Sequence, residues 1–474
     1  MSLSIKQILK KYSGVFITGT AQSNAPKVLR QRRDAELQNL KSLWLCAGVE
    51  KLPGSENLWH SSGDRQIQEP ALIWLTGLNQ TGIRLILNPF SKDKSQQVHL
   101  FLPEQDPKKE FWEGTMACIS KDPERKAEIQ SLTGIESIHS ICDWENVLLK
   151  LVKTHKLKSC IVHNHDYRKQ IPKGKFVKTD HNYLFRRSQE KFFKKHMNGF
   201  KIDSDPIGHL HRRSILDKWQ ISDSKKAQEI TKDAFLSTLG HLKQFKSERD
   251  LSAFLDCQML KETSFGLAFP TICASGANAG ILHYQKKDEP LIKEGLVLLD
   301  FGARYGSMHA DISRTLPVSG RFNPLQLLLY QIVLDTQKFH QNQVKPGRLL
   351  KDLDQKAWEF LNQLLAERFL SQGGEMHCKY ESKPHGISHL IGEQIHEGDP
   401  FRYYQSEPLK PGMLISNEPG LYGHFKMKIN GKYYNEKIGI RLEDDLLITQ
   451  SGCVNLSANL PKDPLTIETL IVQK

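Results

Sequence analysis

The chain has 474 residues, 66 basic and 53 acidic side chains, and a net charge of +13. Its length allows roughly two to four domains, its 39% hydrophobic share excludes wholesale disorder, and no run approaches the ~18 apolar residues of a membrane span. The charge points first to a nucleic-acid binder, but residues 1–220 hold 36 basic and 23 acidic side chains, 221–474 hold 30 of each, and 151–200 alone hold 13 against 3.

Residues 1–27 read as a basic, frayed leader. Seven basic residues precede the first acid, Asp34, a weak likeness to an organelle transit peptide, and no secretory apolar core is present. Residues 28–50 read as a helix running into a buried strand. LIWLTG (72–77) and RLILN (84–88) read as two strands joined by a turn, 98–103 as a third, and the stretch near 144–153 as a helix. Together 28–212 form an α/β domain. Its end, 154–212, is lysine-rich, with seven histidines and interspersed Tyr167, Phe176, Tyr183, Phe185, Phe192 and Phe193. A solvated lysine-rich face or linker explains it more simply than aromatic stacking on nucleic acid, so no nucleic-acid partner is expected.

Turn formers in DSDPIGHLHRRS place a domain boundary near 205–215. Two amphipathic helices follow within 222–264, then strands at 295–301 and 311–316. Asn323-Pro324 opens a helix to about 342, and a second covers about 351–371. Strands at 413–418, 433–435 and 438–449 complete an α+β domain over 213–474. No two of the eight cysteines are closer than 16 residues. Zinc-ribbon and disulfide frameworks are therefore not expected, and a reducing cytoplasmic compartment is.

The neutral half carries the candidate chemistry. Asp300 ends the apolar strand LVLLD and Asp311 begins the next, so one hairpin would bring their carboxylates together. His385, His389 and His396 fall within twelve residues. Glu418 ends a buried strand and precedes Pro419, which holds its backbone extended. Glu443 shares a strand face with Gly439 and Arg441, and a glutamate there is costly to bury unless paired or metal-bound. Asp444 and Asp445 read as a solvated strand edge. Two Asp, two Glu and one His exceed what one zinc uses. They suit two hard divalent ions, manganese first, with cobalt, zinc or iron also compatible. Two such ions activate water for hydrolysis. Asp300-Phe301-Gly302 spells a kinase magnesium tripeptide, but no HRD motif or Gly-rich loop accompanies it.

Taken in order, ASGANAGILHY (274–284), LLDFGARYGSMHADISRTLPVSGRF (298–322), PHGISHLIGEQIH (384–396), ISNEPGLY (415–422) and GIRLEDDLLIT (439–449) resemble the pita-bread metallopeptidases, and within them the aminopeptidase P (Xaa-Pro aminopeptidase) and prolidase branch. The likeness is close over 213–474 and looser over 28–110. It implies a C-terminal pita-bread catalytic domain and an N-terminal creatinase-like α/β domain that helps build dimers or tetramers. The implied metal ligands are Asp300, Asp311, His389, Glu418 and Glu443, with Asp311 and Glu443 each binding both metals. Glu418 would also act as general base, and a hydroxide bridging the metals would attack the peptide. His283 would assist near the substrate, His385 would steady the scissile carbonyl, His396 would line the proline pocket, Arg441 would stand beside the metals, and Tyr422 would be a pocket wall. The chain departs from the family at Met308 and His309, where a tyrosine is common, and at Gln405, where an arginine is.

The resemblance implies hydrolysis of the bond between a first residue and a penultimate proline. Prolidase action on Xaa-Pro dipeptides is the near alternative. A non-catalytic peptide-binding pita-bread module is the alternative of another class, and the presence of all five ligand types argues against it.

Overall fold

A computed structural model describes residues 3–49, 68–163, 181–263, 266–378, 383–398 and 402–472. The chain divides into two compact units that join in sequence at Arg213 and Ser214. Among the described residues no helix is long and apolar enough to cross a membrane.

The first unit is built on a six-stranded sheet: β1 (Trp44–Ala47), β2 (Arg84–Leu87), β3 (Val98–Leu102), β4 (Ser137–Ser140), β5 (Ser159–Val162) and β6 (Lys201–Asp203), in the order β4-β3-β2-β1-β5-β6. β2 runs antiparallel to β1 and β3, and the outer pairings are parallel. β1 and β3 are buried along their whole length, as strands covered on both faces must be. One covering element is the helix His181–His196. Its Phe185, Phe192 and Phe193 enter the same core as Leu45, Phe101 and Trp144. These aromatics are therefore packing residues, whereas Tyr167 and Phe176 lie outside the described residues.

Two expectations fail here. LIWLTG is not a strand but the end of a helix, Pro70–Thr76, with Pro70 in its first turn and Gly77 closing it at φ 74°. Every residue of that helix is buried, which erases the helical period that would have betrayed it. The N-terminal stretch is also not frayed. Ser4 caps the helix Ile5–Lys11, Tyr12 is buried and donates its hydroxyl to Glu128 at 2.8 Å, and Phe16 bridges to Leu78.

The second unit begins with the long helices Lys218–His241 and Glu248–Leu260. The strands β7 (Ile272–Ser275), β8 (Leu296–Phe301) and β11 (Ile312–Pro317) form one antiparallel sheet, β11-β8-β7, with the short ribbon β9 (Arg304–Tyr305) and β10 (Met308–His309) at its tip. Two helices follow. Asn323 caps Pro324–Gln343 through a reciprocal box with Gln326, both bonds 3.0 Å, and Leu350–Arg368 packs beside it. A second sheet joins β12 (Glu375–Cys378), β15 (Gly420–Ile429) and β16 (Lys432–Arg441). A third joins β13 (Leu390–Ile391), β14 (Leu414–Asn417), β17 (Asp444–Ile448) and β18 (Cys453–Asn455). The expected single run 438–449 is thus broken at Leu442 and Glu443, where the chain leaves one sheet for the next and the Glu443 N–H goes to the Ser313 carbonyl at 3.0 Å. The helix and strand cores merge in one cluster that includes Phe235, Leu299, Phe301, Ile332, Trp358 and Leu442.

Candidate active site

The β8–β11 hairpin pairs Asp300 with Ser313, and Phe301 with Ile312, so Asp311, which immediately precedes β11, stands diagonally across from Asp300 at the mouth of the hairpin. Gly302 permits this closure, since a Cβ there would sit 1.8 Å from the Ala310 carbonyl oxygen. Ser313 ties the strand to the next element. Its hydroxyl donates to Glu443 Oε2 at 2.8 Å and accepts from Arg441 Nε at 2.7 Å. Arg441 also reaches Asp300 Oδ2 at 2.5 Å and the Tyr422 hydroxyl at 3.4 Å.

The histidine segment is pinned from two sides. The Glu418 N–H donates to the Ile387 carbonyl at 2.9 Å and the His389 N–H to Ser416 Oγ at 3.0 Å. On the other side, the Trp358 indole donates to the His385 carbonyl at 3.0 Å. His389 gives its Nδ1 proton to the Leu390 carbonyl (3.1 Å), which turns Nε2 toward Asp311 (3.3 Å) and Glu418 (3.5 Å).

All five expected ligands come together. Asp300, Asp311 and Glu443 each offer an atom within 4.8 Å of the others, and so do His389, Glu418 and Glu443. A third group, Asp311, His389 and His396, meets the same limit, with the two imidazole centroids 4.1 Å apart. His385 sits beside them, its Nε2 3.0 Å from the Tyr422 hydroxyl and its Nδ1 3.8 Å from Glu418. His283 is exposed and makes no hydrogen bond among the described residues, but it lies near enough to His385 and His396 to act on both.

The electrostatics are those of an anionic hole. Burial raises Asp300 to about 6; Arg441 opposes the shift and Asp311 adds to it. Burial raises Glu418 to about 8 against the pull of His389 and Arg441. Burial and three neighbouring carboxylates push Glu443 far above its ordinary value. Burial alone would lower His389, but Asp311 and Glu418 overcome it and raise the ring to about 9. Burial, aided by Arg441, lowers His385 to about 4, so that ring is neutral at pH 7. Four carboxylates face one guanidinium and one imidazole, and Asp300 Oδ1 is buried with no hydrogen-bond partner. Divalent cations fit this oxygen-rich donor set.

Asp444 and Asp445, expected at a solvated edge, are instead fully buried. Asp444 is paired with Arg314 at 2.8 Å and with Lys462. Asp445 accepts the Asp311 N–H at 3.1 Å and a bond from Gln228. The pair cannot be solvated because it braces the site from below, with Arg314 also donating to the Glu443 carbonyl at 2.6 Å. The sequence reading missed Arg314, Ser313 and Trp358. Of these only Ser313 carried a signal, its place beside Asp300 across the expected hairpin. At the departures from the family, Met308 is buried against Leu216, Ile391 and Leu414, and His309 is buried with Nε2 3.3 Å from the Glu393 carbonyl.

Comparison with known proteins matches both halves of the chain to described families. The metallopeptidase family M24 matches residues 223–450, and the aminopeptidase P N-terminal domain matches 30–161. The chain is 27% identical over 454 residues to a Xaa-Pro aminopeptidase of Haemophilus influenzae, spanning 93% of this chain and 96% of that one. It is 27% identical over 404 residues to the mitochondrial intermediate cleaving peptidase 55 of Arabidopsis thaliana, spanning 85% and 75%. The structure of E. coli aminopeptidase P with the inhibitor Pro-Leu shares the fold, with a TM-score of 0.73 at 22% identity over 94% of this chain and 98% of that one. The chain belongs to the aminopeptidase P branch of metallopeptidase family M24, metallo-exopeptidases with an aminopeptidase P N-terminal domain and a pita-bread catalytic domain.

Proposed function

We propose that this metallo-exopeptidase is an Xaa-Pro aminopeptidase, which cuts the bond between the first residue of a peptide and a proline in second position. The observation that carries the reading is the convergence of Asp300, Asp311, His389, Glu418 and Glu443 into overlapping donor groups beside a neutral His385. These five side chains would hold two divalent ions, manganese first, with Asp311 and Glu443 shared. Such a pair of ions lowers the pKa of water toward neutrality and polarises a carbonyl.

The chain's own residues do the rest. Glu418, 3.5 Å from His389 and 3.8 Å from His385, takes the proton of the attacking water and delivers it to the prolyl nitrogen that leaves. His385 and the Tyr422 hydroxyl, 3.0 Å apart, form a hydrogen-bonding pair beside the scissile carbonyl, where negative charge develops. Arg441 holds Asp300 and touches Tyr422, fixing both. His283 assists near the substrate, and His396 lines the proline side. Proline's tertiary amide carries no N–H, so a site for it needs shape and ring contacts rather than a backbone acceptor.

In this reading 28–212 is the N-terminal domain, 213–474 the catalytic domain, and the working form a cytoplasmic dimer or tetramer. The test is release of alanine from Ala-Pro-Ala and from Ala-Pro by the manganese-loaded chain. Cleavage of the tripeptide is expected. No cleavage with metal bound refutes the reading, and cleavage confined to the dipeptide replaces it with prolidase.

A further inference from the structure

Beyond Tyr422 the β15–β16 hairpin runs away from the metal-ligand cluster while keeping one face in line with it. Gly420 pairs with Arg441, Tyr422 with Gly439, and His424 with Lys437. On the other side of β15, β12 sets His377 opposite His424. Strand alternation puts Arg441, Gly439 and Lys437 on one face, together with Tyr422 and His424. His377, His424 and Lys437 therefore stand in a row across three strands, one step outward from Tyr422. They line a cavity of about 270 Å³ whose wall also includes Tyr422 and Ile281, and Ile281 lies two residues before His283.

Basic groups directly opposite one another oppose sheet pairing. Among the described residues no acid separates these three: His424 meets the neutral Asn435 side chain, and the nearest described carboxylate on this face, Glu375, lies a further step out, opposite Lys426. Among the described residues none of the three forms an ion pair. A row of donors with no counter-ion among the described residues, lining a cavity that begins at an active-site tyrosine, is arranged to receive an anion.

The register also sets which anion. Lys437 lies four residues from Arg441 on one strand, about 13 Å at the usual strand rise. An extended peptide covers that span in about four residues. An exopeptidase leaves a single residue before the scissile bond, so this length of chain lies after it. We propose that His377, His424 and Lys437 form a subsite for a carboxylate carried about four residues beyond the scissile bond, so that the favoured substrates are peptides of five residues or more with an acidic side chain or their C-terminus at that place. The proposal rests on the aminopeptidase reading above.

The test compares kcat/KM for Ala-Pro-Ala-Ala-Glu-Ala-Ala amide with that for the same peptide carrying glutamine at position five. A second pair compares Ala-Pro-Ala-Ala-Ala as the free acid and as the amide. Each ratio is taken within one preparation, so the folded fraction cancels. In the unaltered protein the acidic or free-acid member should win by roughly fivefold, the scale of a part-exposed ion pair, and the advantage should shrink at high salt. In the double variant H424Q/K437Q the ratio should approach one. The responding pair tells whether a side-chain or a terminal carboxylate is read. Ratios of one in the unaltered protein, or an advantage that survives in the double variant, overturn the subsite while Ala-Pro-Ala is still cleaved. Failure to cleave any of these peptides, the tripeptide included, overturns the aminopeptidase reading itself.

Discussion

Stripping divalent metal from the protein should make its stability fall as pH rises from 7 to 8, and the site sets the size of the fall. Burial raises Glu418 from 4.5 to about 8. The unfolded chain has lost that proton well below pH 7 while the folded chain keeps it until about 8, so stability drains away across the interval. His389 acts in the same direction. Its carboxylate neighbours outweigh burial and raise it from 6.5 to about 9, so its contribution is complete below 6.5 and is lost as pH climbs through 9. Integrating both proton differences between pH 7 and 8 gives about 2 kcal/mol, or a fall in Tm of about 4–8 °C for a unit of this size. Other buried carboxylates pull the same way and make this figure a lower bound: burial raises Asp354 to about 7 and, with neighbouring carboxylates, holds Glu443 and Asp445 well above their ordinary values. Asp300, raised to about 6, has largely titrated by pH 7. His309 and His340, lowered by burial to about 3 and 4, are neutral when folded throughout. The assay is thermal unfolding by circular dichroism after chelation, repeated with saturating manganese. Metal takes the proton's place on the carboxylates, so the loaded protein should lose the site's share of the downward slope. A metal-free Tm that is flat or rises over the interval, or equal slopes with and without metal, would refute the electrostatic account of the site.

Two further outcomes follow from named contacts. Asp311→Asn alters a residue common to two of the three donor groups, so elemental analysis should find fewer metal ions per chain. Hydrolysis of Ala-Pro-Ala should drop by at least about 100-fold, the upper end of what even indirect supports of a metal site are worth. Arg314→Met strands the buried Asp444 carboxylate, in a pair whose two side chains are 0% exposed. Urea unfolding should register a loss of about 3–5 kcal/mol; a loss under 1 kcal/mol would show that Lys462 alone neutralises Asp444.

What could be read from the chain follows how local the physics is. The Asp300–Asp311 hairpin was legible because both strands are apolar and the turn between them is short. The helix after Asn323 was legible because its cap is a two-residue signal. β15 was missed although its evidence was local: Leu421, Phe425 and Met427 alternate inward, and Asn430 and Gly431 both adopt positive φ, 52° and 81°, the Asn-Gly hairpin signature. Histidine and lysine on the opposite face hid the alternation. Asp444 and Asp445 were misread for the contrary reason. Their partners Arg314 and Gln228 lie 130 and 217 residues away in sequence, and two adjacent aspartates with no visible partner look solvated.

The basic excess of 151–200 shows the same divide within one helix. From His181 to His196 the aromatics Phe185, Phe192 and Phe193 turn inward, while Arg187, Lys191, Lys194 and Lys195 are exposed. Aromatic and basic residues that alternate in sequence are thus separated in space by the 3.6-residue turn. A surface that stacks bases needs its rings and its charges on the same side. This helix puts them on opposite sides, so its charge is a solvated face over a packed core. The anion-reading row proposed for the catalytic unit lies instead in the half of the chain whose net charge is zero. Recognition of an acidic group depends there on the register of three strands, which a charge total does not record.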